Sequence, residues 1–143
     1  MFPAVAETAR APGLPPTASR HVLYIEDEPV NVMLMRGIFR LCPNWTLSTA
    51  RDGAEGLRRA AQDQPDLVLV DMHLPDMNGL QLLERLRDEQ DTRDLPCVAL
   101  SADAGSDKVG AALRAGFDDY WMKPFDLAQL LSALSRKLGA PRA

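Results

Sequence analysis

Five polar residues stand where short apolar runs of the sequence end, and their types suggest one shared site. They are Glu26, Asp27, Asp71, Ser101 and Lys123. If those runs are parallel strands, their carboxyl ends meet at one edge of a sheet, which is where open α/β sheets bind ligands. The sequence therefore predicts that three carboxylates, one hydroxyl and one ammonium lie close together.

The chemistry of this set is that of a metal-assisted phosphoryl site. Three adjacent carboxylates repel one another, and a hard divalent cation bound through oxygen atoms neutralises them, which favours Mg²⁺, or Mn²⁺. Lys123 and Ser101 would add a positive charge and a hydrogen-bond donor for an anionic oxygen. Asp71 ends the apolar run at residues 67–70, so we expect its carboxylate to act as a metal ligand or as a covalent nucleophile.

The elements that must position these residues are short apolar runs that alternate with longer helical patterns. We predict strands at residues 21–26, 45–50, 67–71, 96–101 and 119–122. The first twenty residues are rich in proline and alanine, which is typical of a linker. We therefore predict a flexible tail or linker at residues 1–20, one domain at 21–139 and a C-terminal tail at 140–143.

Helices are predicted between the strands, because apolar residues recur there at helical spacing. Asp52 with Glu55, and Asp126 with Gln129, have the spacing of capping boxes that open helices. Gly116 suits a left-handed position after the fourth helix, at about residues 106–115. Five strand and helix units indicate an α/β fold with a single doubly wound, flavodoxin-like parallel sheet in the order 2-1-3-4-5.

Composition limits the class of protein. The chain has 143 residues, enough for one domain, and 16 basic against 20 acidic residues give a net charge of -4. Without a basic run, nucleic acid is not an expected partner. No apolar stretch approaches the roughly 18 residues of a membrane span, and no secretory signal is evident. The two cysteines form no Cys-x-x-Cys motif, so we expect a cytoplasmic protein with no membrane partner.

Four segments, IEDE, LVDMHLPDMNG, ALSAD and YWMKPF, resemble the receiver domain of two-component response regulators over about residues 21–138. The resemblance implies that Asp71 accepts a phosphoryl group from a phosphohistidine of a sensor histidine kinase or a histidine phosphotransfer protein. It implies that Glu26 and Asp27 position Mg²⁺, with Asp27 the direct ligand and Glu26 acting through water. The backbone carbonyl of His73 would complete the metal ligands.

The same resemblance assigns further roles near Asp71. Ser101 would bond the phosphoryl group, and Ala102 would keep the site accessible. Tyr120 would be an aromatic switch that turns inward when Ser101 moves. His73 and Asp103 would tune how fast water removes the phosphoryl group. The resemblance also implies a cis peptide bond between Lys123 and the proline that follows it.

Output would be a change of the surface formed by helix 4, strand 5 and helix 5, recognised by a downstream protein target. For the histidine-bearing partner we expect docking on helix 1, near Val30, Asn31 and Met35. Few residues follow Leu138, so we expect no output domain in this chain and no enzyme activity of its own. A monomer or weak dimer is expected, either as a free-standing regulator or as the receiver piece of a hybrid sensor kinase.

Two alternatives remain at this point. A haloacid-dehalogenase-like, Mg²⁺-dependent phosphohydrolase also uses a strand-end aspartate, but it needs a second aspartate two residues later, where this chain has His73. A receiver-like docking module that is never phosphorylated is the other alternative. The presence of Glu26, Asp27, Asp71 and Lys123 counts against it.

Overall fold

Five parallel strands and five helices alternate along the chain in a computed structural model, which describes residues 19–139. The strands are β1 (Arg20–Ile25), β2 (Trp45–Ala50), β3 (Leu67–Asp71), β4 (Cys97–Ser101) and β5 (Asp119–Met122). The helices are α1 (Pro29–Arg40), α2 (Gly53–Asp63), α3 (Gly79–Asp88), α4 (Ser106–Ala115) and α5 (Leu127–Leu138). The sheet order is β2-β1-β3-β4-β5, which confirms the predicted fold.

Apolar side chains cover both faces of the central strands. In β1, Val22 and Tyr24 belong to the core that packs under α1 and α5, whereas Leu23 and Ile25 belong to the core under α2, α3 and α4. This alternation follows from the two-residue period of a strand. All residues of β3 and β4 are buried, as expected for a parallel sheet with helices on both faces.

Three predicted strand ends differ from the observed ones by one residue. The first strand, predicted at residues 21–26, spans Arg20–Ile25, and its first residue pairs with Trp45 across the sheet. The fourth was predicted at residues 96–101 and begins at Cys97. The predicted tails at 1–20 and 140–143 lie outside the described residues, apart from Ser19 and Arg20. Within residues 19–139, no helix is long and apolar enough to cross a membrane.

Helix caps were predicted with mixed success. The side chain of Asp52 accepts a hydrogen bond from the backbone N–H of Glu55, but the Glu55 carboxylate accepts from Arg51 instead of returning to Asp52. The box predicted for α5 is wrong, since the side chain of Asp126 makes no capping hydrogen bond. Gly116 follows α4 with a φ of 120°, a conformation that favours glycine.

Candidate functional site

The carboxyl ends of four strands bring the five predicted site residues to one edge of the sheet. Glu26 and Asp27 follow β1, Asp71 and Ser101 end β3 and β4, and Lys123 follows β5. One carboxylate oxygen from each of the three acidic residues lies within 4.8 Å of the others. The sheet topology therefore assembles the acidic cluster from residues that are far apart in sequence.

Lys123 lies between two of the carboxylates but bonds them unequally. Its Nζ atom is 2.6 Å from Oε1 of Glu26 and 3.6 Å from Oδ1 of Asp71. The backbone N–H of Lys123 donates to the carbonyl of Ser101 at 2.8 Å, which fixes the start of the loop after β5. The peptide bond to Pro124 is cis, as the resemblance implied. The ammonium is thus held mainly by Glu26.

Glu26 is 2% exposed and is surrounded by donors. The hydroxyl of Tyr24 donates to its Oε1 at 2.8 Å, and Nδ2 of Asn31 donates to the same atom at 3.3 Å. The backbone N–H of Glu28 donates to Oε2 at 3.3 Å. Together with Lys123, these groups satisfy a carboxylate that burial would otherwise make costly.

The balance of these effects sets the pKa of Glu26. Burial raises it, but hydrogen bonds with Asp71, Lys123 and Tyr24 outweigh burial, so the pKa of Glu26 lies below its usual range. Burial, together with the nearby Glu26 carboxylate, raises the pKa of Tyr24. The phenol therefore keeps its proton and acts as a permanent donor to Glu26.

Asp71 is also buried, at 5% exposed, but it has fewer donors. The backbone N–H of His73 donates to its Oδ1 at 3.1 Å. Burial and the interaction with Glu26 raise the pKa of Asp71 to about 6. Because the His73 N–H bonds only Oδ1, the Asp71 carboxylate retains lone pairs for a metal ion or an electrophile.

The donor set fits a hard divalent cation. Asp27 is exposed beside the buried Glu26 and Asp71, so the cluster opens to solvent on one side. Carboxylate oxygens with room for water are the ligands that Mg²⁺ takes in proteins. The side chain of His73 is exposed, which leaves its backbone as the part that lies next to Asp71.

Ser101 and Tyr120 hold the loop between β4 and α4 from two sides. The backbone N–H of Asp103 donates to Oγ of Ser101 at 3.0 Å. The hydroxyl of Tyr120 donates to the carbonyl of Asp103 at 2.7 Å. Ser101 is 2% exposed, whereas Ala102 and Asp103 are exposed. Both predicted switch residues therefore bond the backbone of Asp103.

Sequence reasoning missed Tyr24 and assigned Asn31 to a docking face, although both bond Glu26. The signal for Tyr24 was present, because residues two apart in a strand share a face. Met35 was expected on the docking face of α1, and this is wrong: Met35 is 1% exposed and packs in the core with Phe39. The spacing of the two residues, one helical turn, places them together against the sheet.

A second missed feature ties the loop after β3 to α2. The carboxylate of Asp76 accepts from the backbone N–H groups of Gly53 and Ala54 at 2.8 and 3.0 Å. Met77 packs so closely on Gly53 that a β-carbon there would lie 2.5 Å from the Met77 sulfur. The loop that begins at His73 is thereby fastened to the first turn of α2.

Comparison with known proteins agrees with this geometry. The family model of the response regulator receiver domain matches residues 22–135. The probable transcriptional regulatory protein TcrX of Mycobacterium tuberculosis is 40% identical over 134 residues, which cover 91% of this chain and 54% of that protein. The polar-differentiation response regulator DivK of Brucella ovis is 29% identical over 121 residues, which cover 85% of this chain and 98% of its own length.

A solved receiver domain shares the fold of this chain. The chain superimposes on the receiver domain of sensor histidine kinase PA1611 from Pseudomonas aeruginosa with a TM-score of 0.75 and 31% identity, covering 86% of this chain and 100% of that one. That structure holds a magnesium ion in its active-site cleft. The chain spans about half the length of TcrX and of the other transcriptional regulatory proteins that it matches.

Proposed function

The chain belongs to the receiver-domain family of response regulators, and from that premise we propose that Asp71 accepts a phosphoryl group from a partner phosphohistidine. The observation that carries the proposal is the contrast in donors: Glu26 engages Lys123 at 2.6 Å, while Asp71 accepts a single backbone hydrogen bond at 3.1 Å. Asp71 is thus the carboxylate with lone pairs left for phosphorus. The family match also favours this function over that of a phosphohydrolase.

In the proposed reaction, an Oδ atom of Asp71 attacks the phosphorus atom of the phosphohistidine. The new O–P bond forms as the N–P bond breaks, and the bonding pair returns to the imidazole nitrogen. Lys123 lies 3.6 Å from Asp71, close enough to turn from Glu26 toward a phosphoryl oxygen and neutralise charge there. The residues mainly supply position and charge.

The residues that would hold Mg²⁺ are Asp27 and Asp71 directly, Glu26 through water, and the backbone carbonyl of His73. The bound ion would offset the negative charge of the carboxylates and of the incoming phosphoryl group. Glu26 is already bonded to Lys123 at 2.6 Å, which supports an indirect role for it.

The proposed switch uses the bonds around Asp103. If the hydroxyl of Ser101 turns toward a phosphoryl oxygen, the backbone N–H of Asp103 loses its acceptor at 3.0 Å. Tyr120, which bonds the carbonyl of the same residue at 2.7 Å, would then change its position. We expect this change to alter the surface of α4, β5 and α5, and so to bias a pre-existing equilibrium that a downstream protein recognises.

Three exposed residues at the rim would control access to the phosphoryl group. Ala102, His73 and Asp103 are all exposed. We expect the small side chain of Ala102 to leave the approach of the donor open. His73 and Asp103 would set how readily water reaches the acyl phosphate.

The phosphodonor that we propose is a sensor histidine kinase or a histidine phosphotransfer protein. Its docking face on α1 would include Val30, which is 58% exposed. Asn31 lies beside Val30 but donates to Glu26, and the buried Met35 is excluded from this surface.

Intact-protein mass spectrometry tests the proposal. The full chain is incubated with Mg²⁺ and acetyl phosphate beside two variants, Asp71→Asn and, as a matched control, Asp88→Asn in the exposed end of α3. The parent and the control should gain one phosphoryl group that hydroxylamine removes, whereas Asp71→Asn should gain none. Absence of a gain in the parent at excess donor would contradict the proposal and favour a docking module that is never phosphorylated.

A further inference from the structure

A second cleft lies beside the acidic site, across the outer edge of β2. It has a volume of about 650 Å³ and is bounded by α1, the end of β2 and α2. We propose that this cleft docks an acidic, amphipathic segment of a partner protein. The inference does not depend on phosphotransfer, because it concerns binding beside β2, which is an edge strand of the sheet.

Four arginines line the cleft: Arg36, Arg40, Arg51 and Arg59. Their local bonds are weak. Arg36 donates to the neutral hydroxyl of Thr49 at 3.1 Å. The ion pairs of Arg51 and Arg59 with the acidic residues four positions later measure 3.7 and 3.8 Å, and the Arg51 side chain is 87% exposed. Exposed pairs of this kind contribute little to stability, so the guanidinium groups remain available to a partner.

The carboxylates in the cleft are fewer and partly engaged. Glu26 is bonded to Lys123 at 2.6 Å, and Glu55 accepts from the backbone N–H of Arg51 at 2.7 Å. Asp27 is the remaining carboxylate of the lining. The cleft is therefore locally positive on a chain whose net charge is -4, which favours an acidic occupant.

The surroundings favour a protein segment over a small phosphate. Small anions are often bound by free backbone N–H groups at helix N-termini. Here the first N–H groups of α2, those of Gly53 and Ala54, already bond the Asp76 carboxylate. At α1, the N–H of Val30 faces the side chain of Glu28.

Apolar surface in the cleft points to the same occupant. Met33 lies about one helical turn before Arg36 on α1 and is 69% exposed, and Val32 lines the cleft beside it. A small polyanion would leave these side chains in water. An amphipathic segment would cover them while its carboxylates bond the arginines, and arginine pairs well with carboxylates through its planar fork.

The test is an NMR titration of the ¹⁵N-labelled full chain in buffer without divalent metal. The probe is a helical peptide with glutamates on one face and leucines on the other. We expect the largest amide shifts at residues 32–36 and 49–51. The double variant Arg36→Glu with Arg40→Glu should weaken binding at least tenfold, about 1.4 kcal/mol. The control, Arg58→Glu with Arg93→Glu, changes the net charge equally and should bind within about twofold of the parent.

Three results would overturn the inference. Equal weakening in both double variants would indicate general electrostatic attraction rather than a site. Stronger shifts of the same amides by inorganic pyrophosphate than by the peptide would identify a small-anion site. No shifts with peptide at about 1 mM would show that the cleft does not dock such a segment.

Discussion

Glu26 and Asp71 are two buried carboxylates at the ends of adjacent strands, yet their surroundings differ sharply. Glu26 accepts hydrogen bonds from Tyr24, Asn31 and Lys123 on a single oxygen. Asp71 accepts one from a backbone N–H, and Lys123 stands 3.6 Å away. Their pKa values accordingly move in opposite directions, lowered at Glu26 and raised to about 6 at Asp71.

The difference shows that burial alone does not determine the state of a carboxylate. Both residues are at most 5% exposed, so the desolvation cost is present at each. The number of donors decides whether that cost is offset. One carboxylate is held as an anion by Lys123 and two further donors, and the other makes fewer hydrogen bonds.

The largest expected effect comes from removing the cation that the two carboxylates share. Lys123→Met leaves both Glu26 and Asp71 buried without a positive partner, which should lower the free energy of unfolding by about 3 kcal/mol in metal-free buffer. Urea denaturation measures this change. Lys108→Met, at an exposed position of α4, is the control, and an equally small effect of both variants would contradict the expectation.

Neutralising Glu26 should also destabilise the protein. Glu26→Gln replaces an acceptor of several hydrogen bonds by a group with one carbonyl oxygen, and it deprives Lys123 of the partner at 2.6 Å. We expect a loss of about 2 kcal/mol in the free energy of unfolding. Glu84→Gln, at an exposed position on α3, should change the free energy of unfolding little. A gain in stability for Glu26→Gln would contradict the contrast between Glu26 and Asp71.

Neutralising Asp71 should change the free energy of unfolding in the opposite direction from neutralising Glu26. The folded protein raises the pKa of Asp71 to about 6, above the value of about 4 expected in the unfolded chain. The folded state therefore holds more protons at Asp71 between pH 4 and 6, and this group alone should lower the free energy of unfolding of metal-free protein by roughly 2 kcal/mol as pH rises through that window. Glu26, whose pKa is lowered, contributes in the opposite direction.

Asp71→Asn should abolish most of this fall and be more stable than the parent at pH 7 in metal-free buffer. Thermal unfolding measured at several pH values checks both points. Asp88→Asn, which neutralises an exposed carboxylate, should keep the pH dependence of the parent. A parallel pH dependence in Asp71→Asn would assign the effect to another group.

The smallest effect is expected at the donor beneath Glu26. Tyr24→Phe keeps the ring in the core and removes a single hydroxyl that lies 2.8 Å from Oε1 of Glu26. The expected loss is about 1 kcal/mol in the free energy of unfolding. Tyr120→Phe removes a bond to an exposed loop and should cost less. Equal losses of stability in the two variants would mean that burial does not strengthen the hydrogen bond of Tyr24.

The positions of the acidic residues could be predicted because they depend on strand ends alone. Any parallel sheet in this order brings Glu26, Asp71 and Lys123 to one edge. The donors to Glu26 could not be predicted as reliably, because they depend on how far a side chain reaches between elements. Asn31 illustrates this: its place on α1 was foreseen, but its bond to Glu26 required the geometry of the turn after β1.

The prediction of a docking face on α1 was partly wrong for the same reason. Met35 lies one helical turn after Asn31, so a docking face chosen because it is near the acidic pair also included this residue. Met35 is buried. The apolar Phe39, one turn after Met35, indicates that these two residues lie on the face of α1 that packs on the sheet. The cap of α5 also escaped prediction, since spacing alone does not orient the Asp126 side chain.

The fastening of the loop after β3 to α2 constrains how this domain can be recombined with others. Asp76 supplies both oxygens to the first turn of α2, and Met77 occupies the space that the absent side chain of Gly53 leaves. A chimera that imports a foreign loop without the matching start of α2 would lose two hydrogen bonds or meet a steric clash. The segment 52–54 and the segment 73–78 therefore form a single unit of exchange for protein engineering, although about twenty residues separate them in the sequence.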